Sequence, residues 1–436
     1  MSAGQGKGSG CRMPFPSTLH EAFRASLLIA GEHALQGKKE PGRPRKAPRR
    51  GNWHDQQWPE ENCRWVASRA FRSLRTVGPL PWQEFDSDDP QSRKPRGLLL
   101  PVPLDVAWEY PPGAAPESPP TALRRLQLWR QNSTGMPERE SYEFCPECLS
   151  VAVTPPDKCS QLHGWWTVNQ YRSYLEGRID GAQQFFQPAP QSELWEAEHR
   201  VGVQIDPGSF ASMEGQLYAG SYLRPQSRTR FAVQLHLEKA VNNETVEAQM
   251  LNCLLLGGER RLARIWRQDT LPGGFTDPFA DPIFKAPPSP SGIGPCLLKW
   301  VLVTPAIFAR GSLPGWCWDT NKDRPSGLLT PGRVCFDLPG RVHLVSWCHG
   351  KPLAVSGWDV AEQRAKPTQL SVPAGSVFYF LCEDTATGCA LAERLHWKPR
   401  SDFYGEKGCG YGLVSFDVQM HPSSIKTEAL ASEMFR

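Results

Sequence analysis

The chain has 436 residues, 39% apolar and 22% charged, with a formal net charge of +4. That length provides for two or three domains with their own cores, and the composition excludes a disordered chain. The small net charge excludes a uniformly basic nucleic-acid coat, so any RNA contact has to be local. Forty-two prolines and 38 glycines call for long loops and few long helices. Thirteen cysteines, an odd number, come with no secretion signal. No apolar run approaches the ~20 residues of a membrane span. A cytoplasmic protein with reduced thiols is the expectation.

Residues 14–28 read as an amphipathic helix. Ser17 or Thr18 can cap it, and Glu21 stands three residues after Thr18, the spacing of a capping box. Leu19, Ala22, Phe23, Ser26 and Leu27 share one face, with Arg24 on the other side. Residues 37–53 hold seven basic residues, one acidic residue and three prolines. This is a basic loop that suits either a phosphate backbone or plain solvent. A further helix is expected within 64–75. A proline-broken strand follows at 97–106, then a proline-rich loop near 111–120 and a basic segment at 123–130.

Cys145 and Cys148 form a C-P-x-C knuckle, and Cys159 and His163 follow. Four soft ligands at these spacings suit a closed, structural zinc site. The alternative is three ordinary thiols and a surface histidine. A helix is expected over 165–175 and a β-meander over 198–237, where Val201, Val203 and Ile205 alternate before an Asp206-Pro207-Gly208 turn. A short apolar piece at 247–256 is followed by a candidate strand at 259–266 that mixes arginines with apolar residues. The stretch 269–295, rich in Pro, Gly and Asp, is the best linker. Beyond it, 296–303 and 342–348 are apolar strands, and 351–380 reads as strand edges joined by a polar hairpin. A short helix precedes Trp397, and the residues beyond His421 read as a loose tail.

Between them lies G-E-K-G-C-G-Y-G, Gly405 to Gly412, with four glycines in eight residues. Successive N–H groups of such a loop can cradle phosphate, with Lys407 as a cation and Tyr411 as a stacking face. A tight turn between strands is the plainer reading. It is no Walker loop, since no G-K-[ST] follows.

The ordered motifs resemble the third subunit of the Cmr complex, the type III-B CRISPR effector, in the RAMP superfamily. The resemblance rests on V-S-G-W-D-V-A followed by K-P and V-P-A-G-S-V-F-Y-F (Val355 to Phe380). It is extended, in order, by P-F-P-S-T, P-V-P-L-D (Pro101 to Asp105), E-x-R-V-G-V-x-I-D (Glu198 to Asp206) and E-G-Q-L-Y (Glu214 to Tyr218). L-G-G-E-R-R (Leu256 to Arg261), Leu302 to Pro314 and the glycine loop complete the series. It covers most of residues 13–420.

The resemblance implies an α+β protein of two ferredoxin-like, RRM-like RAMP domains with long loop insertions, here at 1–270 and 291–436. It implies a non-catalytic scaffold that holds the 5′ tag of the CRISPR guide RNA. The partners would be the large Cas-ten-type subunit and the backbone RAMP subunits. On this basis Gly405, Lys407, Gly408, Gly410, Tyr411, Gly412 and Arg24 are candidate RNA-binding residues. Lys351, Trp358 and Lys366 form a further RNA or partner edge. The family's opening strand has no counterpart before Met13, so the first strand of the N-terminal domain is expected to be missing. His20-Glu21 replaces a common small residue of the helix, and the C-P-x-C knuckle lies outside the family pattern. The competing reading is a metal-independent RAMP endoribonuclease that processes precursor CRISPR RNA. It would need a histidine general base, with His20, His163, His199, His343, His349 and His396 available. A third is a zinc-dependent nucleic-acid protein outside the family.

Overall fold

The computed structural model describes residues 6–8, 13–34, 74–83, 97–111, 113, 120–129, 150–152, 159–179, 185–236, 253–257, 261–266, 277–290, 292–309, 311–317, 328–329, 336–359, 364–420 and 426–435. The basic loop at 37–53, residues 64–73 of the expected helix, and Cys145 and Cys148 lie outside them; Arg75, at the end of that expected helix, begins a strand instead.

Helix α1 (Pro16–Ala34) starts on a proline, whose fixed φ and missing N–H suit the first turn. Ala22, Phe23 and Leu27 recur at helical spacing and pack with Leu74 and Leu254. The expected capping box does not form. Thr18 is already helical, and Glu21 reaches instead to Lys407 at the other end of the chain.

Four antiparallel strands form the N-terminal sheet: β1 (Arg75–Gln83), β2 (Gly97–Pro101), β3 (Trp165–Thr167) and, further along, Thr229–His236. Their order is Thr229–His236, β1, β2, β3. β1 and β2 pair only at Trp82–Leu98 and Gln83–Gly97; from Leu99 onward the ladder passes to β3. The helix expected over 165–175 is therefore shorter. Two tryptophans favour the pleated, half-buried surface of β3. Helix α2 (Val168–Leu175) begins behind Thr167, whose hydroxyl accepts from Gln170 N at 3.3 Å while its own N–H donates to Gln170 Oε1 at 2.7 Å.

The expected meander divides. β4 (Trp195–Ile205) and β5 (Ser212–Pro225) make an antiparallel ribbon, and Gly6–Gly8 lies parallel to β5. Val201, Val203, Ile205 and Leu217 are exposed on the ribbon, and Phe210 at its turn keeps 82% of its surface. Only β6 (Thr229–His236) joins the sheet. β7 (Cys253–Leu256) and β8 (Arg261–Arg264) form a separate hairpin against α1.

The C-terminal sheet contains β9 (Cys296–Leu302), β10 (Leu328–Leu329), β11 (Val342–Cys348), β12 (Val377–Cys382) and β13 (Gly412–Ser415), in the order β10-β11-β12-β9-β13. Helix α3 (Thr385–Leu395) connects β12 to β13. β9 is a nearly continuous apolar run because both its faces are covered. Leu298, Trp300 and Leu302 pack with Phe378, Phe380 and α3. Leu297 and Val301 face a second core that continues into Val77, Leu80, Leu100, Tyr171 and Tyr174. That second core is shared by the regions read as separate domains at 1–270 and 291–436.

Two expectations need correction. Within the expected linker, Phe279, Ile283 and Phe284 are packed down. Asp281 caps a 3₁₀ turn at Pro282–Phe284, and the Phe284 ring lies 4.3 Å from Trp397. The presumed loose tail contains α4 (Thr427–Met434), which buries Leu430, Ala431 and Phe435. The polar hairpin at 351–371 forms as expected, from Leu353–Val355 with Gln369–Ser371 and Trp358–Asp359 with Arg364–Ala365. Among the described residues, no helix is long and apolar enough to cross a membrane.

Candidate functional site

The glycine loop lies inside the molecule. Tyr404 and Gly408 take left-handed backbone conformations at either end of a single 3₁₀ turn, Gly405–Lys407. Gly408 sits against β1: a Cβ there would stand 2.7 Å from the Gly78 carbonyl oxygen and 3.1 Å from that of Thr76. At Gly410 a Cβ would meet Ser401 N at 2.2 Å, and at Gly412 it would meet the Trp300 indole nitrogen at 2.3 Å. These glycines allow close approach of the chain to itself. Gly410 N donates to Pro305 O at 2.9 Å, and Tyr411 N donates to the Thr304 hydroxyl at 2.9 Å.

The side chains of the loop are equally occupied. Lys407 retains 13% of its side-chain surface and is ion-paired to Glu21 of α1. Burial alone would lower the Lys407 pKa, but Glu21 and Glu406 hold it above its usual range. Tyr411 is 5% exposed, with its ring edge-on to Trp397 at 5.6 Å. The free cation and open stacking face expected of these two residues do not fit this placement. Beside them, burial raises the Glu406 carboxyl to about 7, and its Oε2 has no hydrogen-bond partner. Burial, followed by the Lys407 charge, lowers His20 to about 3, with its Nδ1 3.3 Å from the Thr76 hydroxyl. Arg24 lies 3.8 Å from Glu21 on the more open flank.

A second polar cluster joins the halves deeper down. Asp105, from P-V-P-L-D, is 2% exposed. Its carboxylate accepts from the Tyr174 hydroxyl at 2.6 Å, the Tyr379 hydroxyl at 3.1 Å and Lys299 Nζ at 3.4 Å. Lys299 also lies 3.9 Å from the centre of the Tyr174 ring. Burial lowers the Lys299 ammonium to about 8 against the pull of Asp105. Lys299 occupies the one odd-numbered position of β9 between Leu297 and Val301, facing the shared core.

The remaining predicted residues lie apart from the loop. Lys351 is exposed and Lys366 half-buried on the polar hairpin that also contains Trp358. Cys159 is in a short strand and His163 is exposed, while their two partners in the knuckle fall outside the described residues. Of the histidines weighed as general bases, His20, His343 and His396 are buried; His396 Nε2 lies 2.9 Å from the Ile283 carbonyl oxygen, and burial lowers it to about 4.

Two arginine–aromatic groups were missed by the sequence reading. Arg230 and Arg264 place guanidinium carbons 4.6 and 4.3 Å from the Trp266 ring, which remains 43% exposed. Arg261 lies 4.0 Å from the Tyr222 ring, and Arg200 lies 5.9 Å from it. These residues come from β4, β5, β6 and β8 and from Trp266 just beyond β8, so only the fold assembles them. The available signal was the alternation of Arg260, Leu262, Arg264 and Trp266 along one strand.

A family model described as CRISPR-associated protein (Cas_Cmr3) matches residues 5–416. The chain belongs to this family. The solved structures similar to it include "Cryo-EM structure of the Type III-B Cmr-beta bound to cognate target RNA and AMPPnP, state 1", at 14% identity and a TM-score of 0.38 over 87% of this chain and 82% of that one. A second, "Cryo-EM structure of the Type III-B Cmr-beta bound to cognate target RNA", matches at 13% identity and a TM-score of 0.37, over 84% and 75% of the two chains. No curated protein matches.

In this Cas_Cmr3 member several of the sequence motifs converge on the seam between the halves. The segment Leu302 to Pro314 is hydrogen-bonded to the glycine loop and to the residues just before it: Val303 N and Thr304 N donate to Tyr411 O at 2.8 and 3.1 Å, Ile307 N donates to the Ser401 hydroxyl at 2.8 Å, and Asp402 accepts from Ala309 N at 2.9 Å. P-V-P-L-D supplies Asp105, and the A-G-S turn supplies Gly375, whose carbonyl accepts from Leu104 N at 2.8 Å.

Proposed function

We propose that the chain is a non-catalytic, guide-RNA-binding subunit of a type III-B Cmr effector. It holds the 5′ tag of the CRISPR RNA and docks the large Cas-ten-type subunit and the neighbouring backbone RAMP subunits. The observation behind this reading is the family match along nearly the whole chain. It reads the C-terminal sheet as a ferredoxin-like RAMP domain: its four longer strands, numbered in chain order, lie as 4-1-3-2 across the sheet, with α3 as the second crossover.

The glycine loop, Gly405 to Gly412, serves as the clasp between the halves, with Arg24 at its open flank. RNA is met by the exposed Trp266 ring with Arg230 and Arg264, because guanidinium planes and indole rings accept unstacked bases while arginine neutralises phosphate. The hairpin with Lys351, Trp358 and Lys366 is a second RNA or partner edge. Cys145, Cys148, Cys159 and His163 hold a structural zinc in the same reading, tested by metal content of the purified chain against Cys148→Ser.

The test uses full-length chain and a labelled, tagged guide RNA in fluorescence anisotropy. Arg264→Ala with Trp266→Ala should weaken binding at least about tenfold, given ~1–3 kcal/mol per base stack. The salt dependence should become shallower as fewer phosphates are neutralised. Unchanged affinity sinks the surface assignment, and cleavage of the RNA by purified chain sinks the non-catalytic reading.

A further inference from the structure

Cys296 and Cys382 stand directly opposite each other across the β9–β12 ladder, both on the α3 side of the sheet. Opposed residues of an antiparallel pair hold their Cβ atoms about 4.5–5.5 Å apart. A disulfide needs about 3.5–4.5 Å. The remaining gap is small, and it falls at strand ends: Cys296 is the first residue of β9 and Cys382 the last of β12.

Gly388 of α3 lies over the pair. A Cβ there would stand 2.5 Å from Cys296 Sγ and 3.8 Å from Cys382 Cβ. A helix-interior glycine is less favourable than alanine; here it leaves the sulfur its space. Cys296 is half-buried and reachable from solvent, while Cys382 is fully buried behind it. The Cys382 thiol hydrogen-bonds Cys296, which holds Cys296 below the usual thiol range and raises Cys382 well above it. The outer sulfur is the better nucleophile and the inner one is placed to resolve it.

We propose that Cys296 and Cys382 form a reversible cross-strand disulfide site whose oxidant is a small disulfide of the glutathione type. The Cys296 thiolate attacks one sulfur of the oxidant. That S–S bond breaks, and the departing thiolate takes up the proton Cys296 released. Cys382 then loses its proton and attacks the Cys296 sulfur, expelling the second small thiol. Two protein thiols and one small disulfide become one protein disulfide and two small thiols. The bond fastens the two central strands of the C-terminal sheet at their solvent end. In a reducing compartment it forms on oxidative challenge and is reversed by thiols.

The test incubates reduced, full-length chain with oxidised glutathione, quenches with iodoacetamide and maps peptides without reduction. The expected product is a peptide joining Cys296 to Cys382, with the chain lighter by two hydrogens. Cys382→Ser should instead accumulate a glutathione adduct on Cys296. Three results overturn the proposal: a lasting glutathione adduct on Cys296 of the unsubstituted chain, a bridge from Cys296 to Cys389, and a Cys296 that remains fully alkylatable.

Discussion

Glu406 is the weak point of the glycine loop. Its carboxyl is raised to about 7 by burial, and one oxygen has no partner. A carboxyl raised in the folded state favours folding while neutral, so this contribution is complete below about pH 4.5 and is lost as pH rises through 7. Lys407 offsets part of the loss, since its charge faces the same carboxyl. Glu406→Gln should therefore gain stability over the parent as pH rises from 4.5 to 7 and keep a constant advantage above it, on the order of 3 kcal/mol. Urea unfolding at several pH values reads this; an advantage that shrinks with pH would contradict it. The sequence made the four glycines legible as a loop, but not what fills it. Lys407 looks free until Glu21, 386 residues earlier in the chain, is seen to reach it.

At the scale of elements, the loop and the segment at 302–314 act as one unit. Gly410 has φ +78 and no space for a side chain. Gly410→Ala should cost at least about 1–2 kcal/mol for the left-handed conformation, and more for the clash with Ser401 N. Thermal unfolding should show it, with Gly257→Ala as the comparison: Gly257 has φ +67 but open space around it. Equal losses at both positions would remove the close-approach argument. Strand identity was readable where burial is two-sided, as in β9 and β12, because runs of seven and six residues rich in aromatic and branched side chains are too short for a buried helix. The ribbon misled for the opposite reason. Val201, Val203 and Ile205 alternate like a half-buried strand, yet all three remain exposed. The tail was equally opaque, since eight residues of α4 carry too short a pattern to declare a docked face.

For the whole molecule, Asp105 and Lys299 decide how the halves fit. They are 194 residues apart in the chain, so no local pattern could announce the pair, and both are 2% exposed. Removing one partner of a buried pair leaves an uncompensated charge and costs about 3–5 kcal/mol. Asp105→Asn should fall by that amount in denaturant unfolding, and Asp105→Asn with Lys299→Met should recover most of it. A double variant no better than the single one would show that the tyrosine hydrogen bonds, rather than the charges, dominate. The proline-rich stretch at 269–295 marked the boundary in the sequence, but the shared core across it was invisible, because Val77, Leu80 and Tyr174 read like the interior of a self-sufficient domain.

That common interior also bears on how the chain is made. On the ribosome, the sheet of β1 to β3 emerges long before β9 to β13, and its seam-facing side chains have nothing to close against until Ser415 has left the exit tunnel. The nascent first half is then an incomplete object until the C-terminal strands have been made, and its apolar seam stays open for that interval.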